Sequence, residues 1–280
     1  MKDVIPTKKQ KFIWGSKNID LKNPKVIFIT GASSGIGASL ANYYARPGTT
    51  LILWGRSSDK LTKVKISCQQ KGAIVATREV DLVNTDQALL DLESYLSVHQ
   101  FDIAILAAGS GDIKNDHEKL ESTDTFKKLA MLNYVTPCAM ANRIAMQMIE
   151  KKRGHIVLIG SVAAFHSLPF ATAYSSSKAG LTRFADCLRL ALKRYGVKVT
   201  LITPGFVDTP MSQRLDCSKP FLMSVSKAVK KISAAINHNK DHVIMPLPFS
   251  ILKWIDNHAP KRIRDYILLN LKVKQDHPKD

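Results

Sequence analysis

The sequence predicts an α/β fold, a doubly wound parallel sheet of seven strands with helices on both faces and a C-terminal helical extension. Two observations carry this. Short β-rich runs alternate with helical segments between about residues 26 and 245, the order that builds βαβ units. A glycine-rich turn stands between the first strand and the first helix, a position that suits ligand binding outside the carboxyl ends of the strands.

The elements follow in order. Residues 26–30 form an apolar strand, and residues 34–46 a helix ended near Pro47-Gly48. Residues 50–55 are a second strand, residues 57–71 a helix stopped by Gly72, and residues 73–80 a third strand. Residues 84–98 are helical with Asn84 as cap, and residues 103–106 are a fourth strand. One long helix is expected through residues 125–150, then a fifth strand at 155–159. Residues 170–195 are helical, with Leu181, Phe184, Ala185, Leu188 and Leu192 on one face. A sixth strand at 198–203, an amphipathic helix through Val225, Ala228, Val229, Ile232 and Ile236, and a seventh strand at 242–245 complete the pattern. The domain expected at residues 24–245 is therefore flanked by a basic N-terminal extension, 1–23, and a basic amphipathic extension, 246–280.

Composition narrows the classes. The chain has 280 residues, enough for one full α/β core, and four scattered cysteines with no C-x-x-C pair or zinc-ligand spacing. They read as reduced thiols, so a cytoplasmic protein without metal is expected. Residues 1–25 lack the apolar core of a signal peptide, and no run approaches the roughly 20 apolar residues of a membrane span. The net charge of +18 sits largely at the ends: residues 1–25 carry seven Lys/Arg and two acids, residues 219–280 twelve and five. Basic ends attract phosphates, anionic lipid or nucleic acid, or simply keep a surface solvated. No recognition helix, zinc module or aromatic-rich basic sheet supports nucleic-acid binding.

The turn reads Thr30-Gly31-Ala32-Ser33-Ser34-Gly35-Ile36-Gly37. Its glycines permit a tight turn and close backbone approach to a pyrophosphate, and the helix start supplies unpaired N–H groups. A glycine triplet alone is often an ordinary turn; the strand before and the helix after point to dinucleotide binding.

The spacing Gly-x-x-x-Gly-x-Gly resembles that of the short-chain dehydrogenase/reductase family, whose fold is Rossmann-like. Tyr174-Ser175-Ser176-Ser177-Lys178 is similar to the family's Tyr-x-x-x-Lys. Ser161 lies thirteen positions before the tyrosine, Asn133 precedes both, and Thr203-Pro204-Gly205 follows the sixth strand. The resemblance covers about residues 24–245. It implies cofactor contacts from Gly31, Ser33, Ser34, Gly35, Ile36, Gly37, Asp81, Leu82, Ala108, Gly109, Pro204, Gly205 and Val207, besides Tyr174 and Lys178. It also implies a homodimer or homotetramer built through the long helices. One departure stands out: Leu106-Ala107-Ala108-Gly109 replaces the family's Asn-Asn-Ala-Gly, so the bracing asparagines are missing.

The second strand ends in Trp54-Gly55-Arg56-Ser57, with no acid to hold a ribose 2′-hydroxyl. Arg56 can make paired bonds to a 2′-phosphate, and Ser33 suits the same neighbour, so NADP(H) is expected over NAD(H). A solvated loop arginine is the plain alternative. Asp81 could instead cap the next turn.

Tyr174 and Lys178 fall one turn apart on one helix face. A free tyrosine is a poor base at neutral pH, and an adjacent ammonium should lower its pKa from about 10. Tyr174 is thus the candidate general acid for carbonyl reduction and general base for alcohol oxidation. Ser161 would hydrogen-bond the substrate oxygen together with Tyr174. The resemblance gives Lys178 the nicotinamide ribose and gives Asn133 a water linking Lys178 to solvent. An isolated Tyr-x-x-x-Lys is ordinarily surface packing; the ordered set gives the pair its weight. His166 and Phe165 could line a substrate pocket or serve structure alone.

The expected activity is interconversion of a ketone or aldehyde with an alcohol on a hydrophobic small molecule. The alternative is an NAD(P)-binding sensor or scaffold without turnover. Past residue 245, Ile263, Tyr266, Ile267 and Leu271 share a face of a helix surrounded by Lys261, Arg262, Arg264, Lys272 and Lys274. Such a tail could contact an anionic membrane, cover the cleft or pack on another subunit, with packing or a lid favoured.

Overall fold

The computed structural model describes residues 24–113, 119–251, 253, 259–270 and 274–275. Its strands are β1 (Val26–Thr30), β2 (Thr50–Gly55), β3 (Ile74–Glu79), β4 (Ile103–Leu106), β5 (His155–Ile159), β6 (Lys198–Pro204), β7 (Leu215–Asp216), β8 (His242–Met245) and β9 (Lys274–Gln275). Its helices are α1 (Gly35–Tyr44), α2 (Ser58–Gln70), α3 (Thr85–Leu96), α4 (Thr123–Ala130), α5 (Thr136–Glu150), α6 (Thr172–Leu192), α7 (Pro210–Gln213), α8 (Val225–Asn237) and α9 (Lys261–Leu269). The expected seven-stranded parallel sheet is present in the order β3-β2-β1-β4-β5-β6-β8. The two-residue strands β7 and β9, not foreseen, pair antiparallel apart from it.

The strands are nearly continuous apolar runs because helices cover both faces. Alternate residues point to opposite sides. Ile27, Ile29, Leu51, Leu53, Ile103 and Ile105 join α1, α2 and α8 in one buried cluster. Phe28, Ile52, Trp54, Ala104, Leu106, Ile156 and Leu158 join α3, α5 and α6 in the other. The helix starts agree with their caps: Ser57 accepts from the Lys60 N–H and Asn84 from the Gln87 N–H.

The single long helix expected through residues 125–150 is broken. A π-turn, Met131–Val135, separates α4 from α5. Pro137 has no N–H to give the carbonyl of Asn133, its partner in an unbroken α-helix. The Thr136 N–H bonds Met131 O, five residues back, so the turn widens where Asn133 sits.

The N-terminal extension expected at residues 1–23 lies outside the described residues, as do Trp254, Leu271 and Lys272 of the tail.

Candidate active site

The strand order reverses between β1 and β4, and their carboxyl ends open the crevice. Gly31 follows β1 with φ of 68°. A Cβ there would stand 2.8 Å from Cα and N of Ala108, so both conformation and space demand glycine. Thr30 Oγ1 accepts from the Ala108 N–H at 3.2 Å and ties the two strand ends together. Leu106, where the family pattern has asparagine, is buried in the apolar core. Bracing here thus comes from Thr30 and packing.

Ser34 is the N-cap of α1, yet its side chain accepts no bond from the helix. Ser57, Asn84, Ser122 and Ser224 do accept at the starts of α2, α3, α4 and α8. No acid lies in the first turn of α1 either. The positive end of this helix is left without a side-chain acceptor at the glycine turn, which fits an incoming phosphate. Gly35 and part-buried Ile36 belong to that first turn, and a Cβ on Gly37 would lie 2.3 Å from Gly31 O. Thr209, not foreseen, leans over the turn, its Cγ2 3.3 Å from where a Gly35 Cβ would be.

Arg56 is exposed at the end of β2 and forms no ion pair with the described residues. Ser33 Oγ would lie 3.1 Å from a Cβ on Gly55, so Ser33 and Arg56 flank one strand end. Asp81 Oδ1 accepts from the Val83 N–H at 3.1 Å, the turn-capping role. The side chains of Leu82 and Val207 are buried, and their carbonyls accept from the Thr136 hydroxyl at 2.8 Å and the Ser212 hydroxyl at 2.6 Å.

Ser161 stands two residues past the end of β5, and its Oγ accepts from the Ala163 N–H at 3.2 Å to start the 3₁₀ turn Val162–Phe165. The same hydroxyl favours the ionised form of the Tyr174 phenol. Lys178 is buried one turn further along α6, with Nζ donating to Ile159 O at 3.0 Å. Burial lowers its ammonium to about 8. Two of its three N–H groups have no acceptor among the described residues. A Cβ on Gly109 would stand 3.2 Å from that Nζ and 3.0 Å from Asn133 Oδ1. Gly109 thus leaves room for the Lys178 ammonium and the Asn133 amide where any side chain would crowd them, and the ammonium's unused donors fit ribose hydroxyls.

One expectation is corrected. The phenol of Tyr174 is not brought down by Lys178: burial raises it above the ordinary tyrosine value, and only the Ser161 hydroxyl acts against this. Lys178 spends its ordered bond on a carbonyl instead. Asn133 is buried and committed to protein contacts. Its Oδ1 accepts from the Ser110 N–H at 3.0 Å, and its Nδ2 donates to Ser110 O at 2.9 Å and Ser177 Oγ at 3.3 Å.

Sequence reasoning missed the groups that hold this set still. Glu121 Oε2 accepts from the Ala173 N–H at 2.9 Å and from the Thr172 hydroxyl, capping α6 from outside the helix. No local signal announces it, since the partners lie 51 and 52 positions apart. Ser175 Oγ donates to Ala163 O at 2.8 Å and His166 O at 2.5 Å, stapling α6 to the Ser161 turn. Phe165 lies under Lys253, whose Nζ is 4.4 Å from the ring centroid. Phe249 is buried on Gly205 and meets Phe221 edge-on at 5.9 Å. The first part of the C-terminal extension thus packs over the Pro204-Gly205 loop. Among the described residues no group of three or more His, Cys, Asp or Glu is placed to hold a metal.

A family model described as short chain dehydrogenase matches residues 25–219. The chain belongs to the short-chain dehydrogenase family. Its members are NAD(P)-binding oxidoreductases, in keeping with the crevice above. An uncharacterized oxidoreductase of Myxococcus xanthus is 32% identical over 81% of this chain and 89% of its own length. A short-chain dehydrogenase from Sphingobium yanoikuyae, solved with NADPH, superposes with a TM-score of 0.75 at 25% identity, over 89% of this chain and 96% of the other. The bulky-bulky ketone specific alcohol dehydrogenase of Comamonas testosteroni does so with a TM-score of 0.73 at 25% identity, over the same shares.

Proposed function

We propose that this short-chain dehydrogenase is an NADP(H)-dependent ketoreductase or secondary-alcohol dehydrogenase acting on a hydrophobic small molecule. The observation that carries the reading is the Ser161 hydroxyl acting on the buried Tyr174 phenol, one helical turn from the buried, donor-rich Lys178.

When bound, the nicotinamide supplies or accepts the hydride. Tyr174 delivers the accompanying proton to a carbonyl oxygen, or takes it from an alcohol. Ser161 donates to the substrate oxygen as negative charge develops there. Lys178 would turn its two unused N–H groups to the ribose, and Asn133 ties the Ser110 loop to α6 beside it. The uncapped start of α1, residues 31–37, holds the pyrophosphate. Arg56 and Ser33 hold the 2′-phosphate, which favours NADP(H). Asp81, Leu82, Ala108, Pro204, Gly205 and Val207 line the remaining cofactor path. The relatives solved with NADPH and named for bulky ketones support the cofactor and the apolar substrate.

Residues 24–245 form the catalytic unit in this reading. Assembly is through α5 and α6 as a homodimer or homotetramer, where Met146 and Leu190 stand exposed. No helix of the described residues is long and apolar enough to cross a membrane.

A panel of carbonyl compounds followed by NADPH absorbance tests the reading, with Tyr174→Phe as control. Turnover that falls by about a hundredfold or more in the variant is expected for a lost proton donor. A variant as fast as the parent would overturn the mechanism, and NADPH binding without turnover on any carbonyl would leave a sensor or scaffold.

A further inference from the structure

The second part of the tail behaves unlike the first. In α9 the residues Ile263, Tyr266 and Ile267, spaced i, i+3 and i+4, share one face. They are 55%, 72% and 55% exposed. Leu268 is the one buried residue of the helix. A surface helix ordinarily turns its apolar stripe to the core. This one touches the domain through Leu268 and turns the stripe outward.

The charges flank that stripe. Arg262 and Arg264 stand one residue to either side of Ile263, about 100° around the helix axis in each direction. Lys261 is exposed at the start of the helix. Asp265, the one acid of α9, is paired with Arg264 at 3.3 Å. Residues 261–280 carry six Lys/Arg and three acids, in a chain of net charge +18.

The helix also has a fixed neighbourhood. Four residues separate Leu269 from β9, which pairs with β7. At the reach of an extended chain, the end of α9 lies within about 18 Å of β9, and β7 is roughly 5 Å beyond. Arg214, next to β7, donates to Gly111 O at 3.4 Å, and a Cβ on Gly111 would lie 3.8 Å from the Tyr174 ring. Phe221, Leu222, Leu247 and Ile251 are also about half exposed or more, on the two segments joined by the Phe221–Phe249 contact.

We propose that α9 is a docking element for an anionic lipid bilayer, lying in the interface with Ile263, Tyr266 and Ile267 among the acyl chains and Lys261, Arg262 and Arg264 at the phosphates. An outward apolar stripe bordered by the exposed Arg262 on one side and the Asp265-paired Arg264 on the other, with Lys261 exposed at the helix start, matches the chemistry of that surface. A protein partner or second copy would be matched by an apolar stripe without the flanking cations. Docking there brings the Arg214 side of the cleft toward the bilayer; that last clause rests on the proposed reaction, while the docking itself does not.

The test is co-sedimentation of the full chain with phosphatidylcholine vesicles, with and without phosphatidylserine. Binding is expected to the phosphatidylserine vesicles and to weaken as salt is raised. Ile263→Asp/Tyr266→Asp/Ile267→Asp should weaken it about tenfold or more. Lys261→Glu/Arg262→Glu should abolish the preference for phosphatidylserine while the circular dichroism and melting midpoint stay unchanged, which guards against a misfolded variant. NADPH-linked turnover of a water-soluble carbonyl should survive both. Absence of wild-type binding to either vesicle overturns the proposal, as does undiminished binding by both variants. A triple variant that turns dimer into monomer with vesicle binding intact assigns the face to a second copy and also overturns it.

Discussion

Lys178 sets its Nζ 3.0 Å from the carbonyl oxygen of Ile159, at the end of the strand that delivers Ser161. The ammonium is buried against a neutral acceptor, with no carboxylate bonded to it among the described residues. Its pKa falls to about 8, below the ~10.4 of an unfolded lysine. The unfolded chain therefore binds more protons between these values, so this group's cost to stability is full below pH 8 and fades as pH rises toward about 10.5. Lys178→Met should raise stability at neutral pH by on the order of 1–3 kcal/mol while abolishing turnover. Urea unfolding at pH 7 and pH 10 checks this: the advantage should shrink at the higher pH.

Arg56 should separate the two cofactors. It is exposed, forms no ion pair with the described residues, and lies beside Ser33 at the end of β2. Arg56→Gln removes a charge-assisted bond of about 1.5–3 kcal/mol to a phosphate. The KM for NADPH should rise about tenfold or more, and that for NADH should hardly move. Steady-state kinetics with both cofactors decides it; equal effects on both would deny Arg56 the 2′-phosphate.

Gly205 and Phe249 should be energetically coupled. A Cβ on Gly205 would stand 2.3 Å from Phe249 Cε2, so Gly205→Ala must displace a buried ring. The cost expected for such overpacking is about 1–3 kcal/mol. In a Phe249→Ala background the same change should cost less than about 0.5 kcal/mol. A double-mutant cycle by chemical unfolding measures the difference.

His155 should make the protein acid-sensitive. It is fully buried in β5, with Nε2 2.7 Å from Thr200 Oγ1. The Thr200 hydroxyl donates to Lys240 O, so it accepts from Nε2, and Nδ1 is left without a partner. Burial, helped by Lys198, lowers the imidazole to about 3. The unfolded chain takes up this proton below about pH 6.5, so stability falls with pH from there down to about pH 3 by up to ~1.4 kcal/mol per unit. His155→Gln keeps a donor and cannot charge. Its unfolding free energy should fall less steeply between pH 6.5 and 4, and a parallel slope would refute the assignment.

Glu121 should act as a positioning residue. Its carboxylate closes the N-terminus of α6 two positions before Tyr174. Glu121→Ala should cost about 1–2 kcal/mol of stability as a lost cap. It should also lower kcat while leaving the KM for NADPH nearly unchanged, and Glu121→Gln should recover part of kcat. A purely structural cap would change melting without splitting kcat from KM.

The strand–helix alternation, the glycine turn and the ordered Ser161, Tyr174 and Lys178 were legible in the chain itself. Each is a local signal: period 2 or 3.6, a backbone conformation that glycine permits, or two residues one helical turn apart. Asn84 as a cap is of the same kind. Even the break at Asn133 had a local cause, the missing N–H of Pro137, although the helical pattern on either side concealed it.

The tertiary structure alone decided which groups those residues meet. Lys178 finds Ile159 O instead of lowering the phenol, Thr30 replaces a missing asparagine, Glu121 reaches across 52 positions to Ala173, and Phe249 lands on Gly205. The amphipathic stripe of α9 could be read from its spacing, but not the direction it faces. Hydrogen bonding and burial depend on which atoms folding brings together, and contacts between distant positions leave no periodic trace in the sequence.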